Sequence, residues 1–107
     1  MAASYSHRLF SGSVPAGSQT TVLQVPNGET VVVRDLEVFL GTPDTLCNVQ
    51  AGPTGSFGII FYSAANTGSS YQQWQGRVVL EEGDELALYS SSTGTLMYIS
   101  GYRFNNT

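Results

Sequence analysis

Short apolar runs and turn residues alternate along the whole chain. Within most runs the β-branched and aromatic residues recur at every second position, which is the period of a strand with one buried face. Glycine, proline, asparagine and aspartate separate the runs. No segment shows the 3.6-residue repeat of an amphipathic helix. The pattern predicts strands at 8–13, 19–25, 30–40, 46–51, 56–63, 71–80, 85–89 and 95–104.

Eight strands spaced 8–12 residues apart are typical of an all-β protein. We therefore expect a single antiparallel β-sandwich or jelly roll of about eight strands, with a small closed barrel as the alternative. No helix should exceed about one turn. Residues 1–7 are predicted to form a polar N-terminal arm and residues 8–107 the sandwich domain. The pair Asn27-Gly28 predicts a hairpin between the second and third strands.

The alternation slips in the middle of the third predicted strand. Its apolar residues occupy odd positions first and even positions afterwards: Val31 and Val33, then Leu36, Val38 and Leu40. One extra residue at Arg34-Asp35 would return both groups to a single buried face. The slip therefore predicts a β-bulge there.

Composition and charge exclude several classes of function. The 107 residues fit one domain. Charged residues make up 11%, where about 25% is usual, and the net charge is −4 with four arginines and no lysine. A phosphate backbone or an anionic membrane would need clustered basic residues, so neither nucleic acid nor a membrane is expected as a partner. The N-terminus lacks the apolar stretch of a signal peptide.

Candidate chemistry is sparse. The single histidine, His7, lies in the predicted arm, and Cys47 lies in a predicted strand, where a buried thiol is the default. Four acidic residues surround Gly83 without the alternating spacing that wraps a cation, namely Glu81, Glu82, Asp84 and Glu85. We predict that these residues serve the turn, with Asp84 accepting backbone hydrogen bonds. No catalytic residue, cofactor or metal ligand is predicted.

The fifth predicted strand is apolar on both faces. Strict alternation places Phe57, Ile59 and Phe61 on one face, and Ile60 and Tyr62 on the other. A small sandwich has only one interior, so the second apolar face needs another surface to cover it. We predict that Phe57, Ile59, Ile60, Phe61 and Tyr62 form a subunit interface in a homotrimer or another cyclic oligomer.

Three tyrosines outside the predicted core are candidates for a second surface. Tyr98 and Tyr102 have the parity opposite to Ile99, and Tyr71 begins the sixth strand. Aromatic rings with neighbouring amides can bind a glycan or a protein partner. Trp74 instead follows the parity of Val78 and is predicted to face the core.

Four short motifs stand out along the chain: the turn at 14–17 (Val-Pro-Ala-Gly), the strand at 32–35 (Val-Val-Arg-Asp), the hairpin at 80–84 (Leu-Glu-Glu-Gly-Asp) and the last strand at 100–102 (Ser-Gly-Tyr). These motifs resemble those of small β-sandwich proteins in the virions of tailed bacteriophages. The C-terminal half is also similar to the trimeric jelly rolls of tumour-necrosis-factor and complement globular-head type. That second likeness implies a shared architecture.

The resemblance to phage proteins implies a non-enzymatic virion structural protein. Such a protein would decorate the capsid or lie in the tail or neck, contact itself and other virion proteins, and be made in the host cytoplasm. The alternative is a receptor-binding module that recognises a host-surface glycan through Tyr71, Tyr98 and Tyr102.

Overall fold

The computed structural model describes residues 6–42, 45–64 and 70–105. These residues form eight strands and, within those ranges, no helix. The strands are β1 (Ser6–Ser13), β2 (Thr20–Gln24), β3 (Glu29–Leu40), β4 (Leu46–Gly52), β5 (Gly58–Ala64), β6 (Ser70–Leu80), β7 (Glu85–Ser90) and β8 (Thr95–Asn105). The predicted all-β fold is confirmed.

The strands form two antiparallel sheets of four. Sheet 1 has the order β1-β8-β3-β6, and sheet 2 has the order β2-β7-β4-β5. Each strand of the first half of the chain therefore pairs with its counterpart counted from the C-terminus: β1 with β8, β2 with β7, β3 with β6 and β4 with β5. The chain thus has the pairing of one long antiparallel hairpin that is wrapped into two layers. This is the double-sheet arrangement of a jelly roll.

Two local expectations were wrong. The turn at Asn27-Gly28 joins the two sheets instead of closing a hairpin, because β2 pairs with β7 while β3 pairs with β6 and β8. The first strand begins at Ser6, so His7 belongs to β1 and pairs with Gly101. The rest of the predicted arm, residues 1–5, lies outside the described residues.

The core lies between the inner faces of the two sheets. Sheet 1 contributes mainly the long strand β3 and the last strand β8, and sheet 2 contributes β4 and β7. The largest fully buried side chains are Leu36, Leu40, Leu80, Leu86, Leu88, Met97, Ile99, Val25, Val31, Val33, Val38 and Val49. Trp74 and Val78 of β6 pack against this cluster, as their parity predicts.

The predicted bulge in β3 is present. Val33 pairs with Gly101 and Asp35 pairs with Ser100, so Arg34 is an extra residue relative to β8. Val33 and Leu36 are consequently both fully buried, although they differ in parity. The backbone of β3 comes so close to β8 at this point that a Cβ on Gly101 would lie 1.8 Å from the carbonyl oxygen of Val32.

Each edge strand also carries an extra residue relative to its inner neighbour. The extra residue is Leu9 in β1, Val22 in β2 and Ile60 in β5. In β6, two residues (Gly76 and Arg77) face the single residue Arg34 of β3. The central pair β4–β7 is regular. Because the edge strands contain more residues than the central strands they pair with, both sheets bend around the core.

The bulge in β5 changes which side chains face outward. Strict alternation predicts that Ile59 and Phe61 share a face, and this is wrong because the extra residue Ile60 reverses the parity. Ile60 and Phe61 pack against the core cluster. Ile59 and Tyr62 are 60% and 59% exposed.

Asp84 has the structural role that the sequence predicts. Its carboxylate Oδ2 accepts a hydrogen bond from the Glu81 amide at 3.0 Å. The backbone of the same turn is bonded to the β2–β3 connection, since the Gly83 amide donates to the Val25 carbonyl and the Val25 amide donates to the Asp84 carbonyl, both at 2.9 Å. The β6–β7 turn is therefore fixed by these three hydrogen bonds.

We expect Gly101→Ala to destabilise the protein by about 3 kcal/mol or more, because the new methyl group overlaps the β3 backbone at a position where neither strand can move alone. Gly58→Ala is the matched control in another strand. Its Cβ would come no closer than 4.0 Å to the Ala51 carbonyl oxygen, and we expect a change within about 0.5 kcal/mol. Urea unfolding of both variants measures the difference, and equal losses would contradict this account of Gly101.

Candidate functional site

Charge is distributed unequally between the two sheets. All four arginines lie on strands of sheet 1: Arg8, Arg34, Arg77 and Arg103. On the strands of sheet 2 the only charged residue is Glu85, at the start of β7. Its carboxylate accepts hydrogen bonds from the hydroxyls of Thr21 and Thr54. The rest of sheet 2 therefore presents an outer surface without charge.

We call this surface the uncharged face. It consists of Leu46, Asn48, Gln50, Ile59, Tyr62 and Tyr89, which point away from the core on β4, β5 and β7. Ile59, Tyr62 and Leu46 are 60%, 59% and 42% exposed. Between them the Gln50 Nε2 donates to the Asn48 Oδ1 at 2.9 Å, so the two amides satisfy each other in part. Depletion of charge together with exposed aromatic and aliphatic groups is typical of the centre of a protein interface.

The five residues predicted as a subunit interface do not form one surface. Ile59 and Tyr62 belong to the uncharged face, whereas Ile60 and Phe61 pack inside this chain. Phe57 precedes β5 and is half-buried. Only Ile59 and Tyr62 of the five are therefore open to a neighbour across this face.

An aromatic cluster occupies the outer face of sheet 1. The ring of Phe39 lies between Tyr71 and Tyr98, with centroid distances of 4.8 Å and 5.9 Å. The Tyr71 hydroxyl donates to the Glu37 Oε1 at 3.1 Å. Desolvation, this hydrogen bond and the Glu37 charge raise the pKa of the Tyr71 phenol. Two of the three predicted tyrosines thus come together around Phe39, which has the outward parity of β3 and was not among the predicted site residues.

Two grooves flank the bulge on the same outer face. The first, of about 270 Å³, adjoins the aromatic cluster and is lined by Arg8, Asp35, Glu37, Tyr98, Ile99 and Ser100. The second, of about 260 Å³, is lined by Val32, Arg34, Arg77, Tyr102 and Phe104. We call the second the arginine groove. It contains Tyr102, the third predicted tyrosine, which is therefore separate from the other two.

Metal-ligating side chains do not cluster in the described part of the chain. No three side chains of the types His, Cys, Asp and Glu converge within residues 6–42, 45–64 and 70–105. In the same ranges no helix is long and apolar enough to cross a membrane. Cys47 is fully buried, and burial raises the pKa of its thiol to about 11. Its predicted role as a small buried residue agrees with this position.

Comparison with solved structures finds a similar fold in two proteins. A pentameric capsid protein from metagenomic phage sequences matches with a TM-score of 0.53 and 16% identity over 85% of this chain. A second structure described in the same terms matches with a TM-score of 0.50 and 16% identity over 89% of the chain. The chain spans 59% of the length of each of them. No protein-family model matches the sequence, and no curated protein has a similar sequence.

We expect the Cys47 thiol to be unreactive in the folded protein. A pKa of about 11 leaves almost no thiolate at pH 8, and the fully buried sulfur is inaccessible to reagent. Titration with a chromogenic disulfide reagent should release less than about a tenth of an equivalent at pH 8, and one full equivalent after denaturation. Rapid release of one equivalent from the native protein would contradict the buried position.

Proposed function

We propose that this protein is a non-enzymatic structural protein of a tailed-phage virion, packed as an oligomer on the capsid or in the tail or neck. The observation that carries the proposal is the uncharged face, on which Ile59 and Tyr62 are more than half exposed within a surface that has no charge. A lone small protein gains nothing from such a face, whereas a subunit buries it against a neighbour.

The fold supports the virion part of this proposal. Two solved proteins that share it are described as pentameric capsid proteins from phage sequences. The sequence motifs at 14–17, 32–35, 80–84 and 100–102 independently resemble phage virion proteins. Quantitative mass spectrometry of purified particles from a phage that encodes the chain tests the placement. Many copies per particle would indicate a capsid position, a few copies the tail or neck, and absence from the particle would overturn the proposal.

A glycan-binding module is the second candidate, and the aromatic cluster favours it. Phe39, Tyr71 and Tyr98 expose ring surface beside a groove that holds carboxylates and a guanidinium. Rings can stack on the apolar face of a sugar, while such polar groups can bond to its hydroxyls. In this candidate Tyr71 and Tyr98 act with Phe39, and Tyr102 is not part of the site.

We expect Ile59→Asp to weaken self-association, raising the dissociation constant about tenfold or more, because it buries a charge in the uncharged face. Ser11→Asp is the control, since it adds the same charge to an exposed position of sheet 1. Ile60→Asp is unsuitable because Ile60 packs on the core. Light scattering across a concentration series measures the mass. A wild-type protein that is monomeric at every concentration would overturn the assembly proposal.

We expect Phe39→Ala to abolish binding to neutral oligosaccharides if the second candidate is correct, because it removes the central ring of the cluster. Val79→Ala, which truncates another exposed residue of sheet 1, should leave binding intact. A glycan array probed with the wild-type chain and both variants measures this. No binding by the wild-type protein, or equal binding by all three, would remove the candidate.

A further inference from the structure

The β6–β7 turn is a fixed acidic projection. Glu81 and Glu82 are exposed at its tip. Its backbone is held by the bond from the Glu81 amide to Asp84, by the 3.0 Å bond from the Asp84 amide to the Glu81 carbonyl, and by the two bonds to Val25. Two carboxylates are therefore presented from a rigid base, with little backbone entropy to lose on binding.

The arginine groove is positively charged and concave, whereas the β6–β7 turn is negatively charged and projects outward. It is lined by the exposed Arg34 and Arg77, by the half-buried Tyr102 and Phe104, and by the largely buried Val32. The Arg34 Nε donates to the Gly76 carbonyl at 2.8 Å, which holds that side chain across the two bulged strands. The position of this guanidinium is thus determined by the fold.

Neither feature is neutralised within the described part of the chain. There, the one ion pair joins Arg103 to Glu29 at 3.0 Å. Arg77 and Glu81 are four residues apart on an extended strand, a separation of about 13 Å. The groove opens on the outer face of sheet 1, whereas the turn extends from the end of the sandwich. The acidic turn and the arginine groove of one molecule therefore do not pair with each other.

We propose that the acidic β6–β7 turn of one subunit docks into the arginine groove of the next copy of this chain. The proposal rests on the proposed function, because it requires that the chain associates with itself. Carboxylates and guanidinium groups form paired, charge-assisted hydrogen bonds, and the neighbouring rings of Tyr102 and Phe104 would exclude water around them. The contact joins two different patches, so it repeats from subunit to subunit and closes into a ring when the rotation allows.

The two surfaces then have separate tasks in one assembly. The uncharged face supplies apolar area, and the charged contact determines which neighbour is accepted and in which orientation. Charge pairs of this kind are screened by salt, whereas burial of apolar area is not weakened by it. The two contributions can therefore be separated by ionic strength.

Charge reversal in solution tests the contact. We expect Arg77→Glu and Glu82→Arg each to raise the dissociation constant of the oligomer about tenfold in 50 mM NaCl, and by much less in 500 mM NaCl. An equimolar mixture of the two variants should regain association, because the reversed turn of one fits the reversed groove of the other. Arg8→Glu, on the same sheet outside the arginine groove, is the matched control and should behave as wild type. Thermal unfolding of each variant establishes that it is folded.

The outcomes separate this contact from the proposed function. An oligomer that is unaffected by either reversal would overturn the docking proposal and leave the proposed function in place. Recovery in the Arg77→Glu/Glu82→Arg double variant, with no association between the two single variants in the mixture, would place the pair within one chain and would also overturn it. A wild-type protein that is monomeric throughout would overturn both. Recovery in the mixture would support the contact between copies.

Discussion

The close approach of β3 to β8 at Gly101 is the constraint on which the rest of the structure depends. Gly101 leaves room for the Val32 carbonyl, and Arg34 is thereby accommodated as an extra residue. Without that residue, every side chain beyond it in β3 would change faces. Leu36 would turn toward solvent and Phe39 toward the core. The interior and the aromatic cluster outside it are thus consequences of one local irregularity.

The sequence was sufficient for the strands and for the bulge in β3, but not for the bulge in β5. In β3 the residues on the outer face are polar enough that a slip of the apolar pattern is visible, and it marks Arg34. In β5 the four residues from Ile59 to Tyr62 are all apolar or aromatic. Because no polar residue marks the outward positions in this run, its pattern does not show which residues share a face. The bulge at Ile60 therefore cannot be recognised from the sequence. The hairpin expected at Asn27-Gly28 failed because a turn motif fixes local geometry and not the sheet that the next strand joins.

The surfaces were harder to predict, because they combine strands that are distant in sequence. Arg34 and Arg77 are 43 positions apart in the sequence, yet they share a groove since β3 pairs with β6. The uncharged face likewise becomes visible only when the strands without charge are known to lie in one sheet. Phe39 did carry a signal, an aromatic residue at an outward position of β3. Its significance depends on Tyr71 and Tyr98, which only the topology brings beside it.

The extra residue in every edge strand has a consequence for the edges of the two sheets. An unpaired strand edge is a template for another strand, and two open four-stranded sheets have four such edges per molecule. A bulge interrupts the row of free amide and carbonyl groups, so a foreign strand cannot add along its full length. Growth of open-ended fibrils is suppressed as a result. Bulged edges therefore favour contacts through the side-chain faces of the two sheets over contacts through their edges.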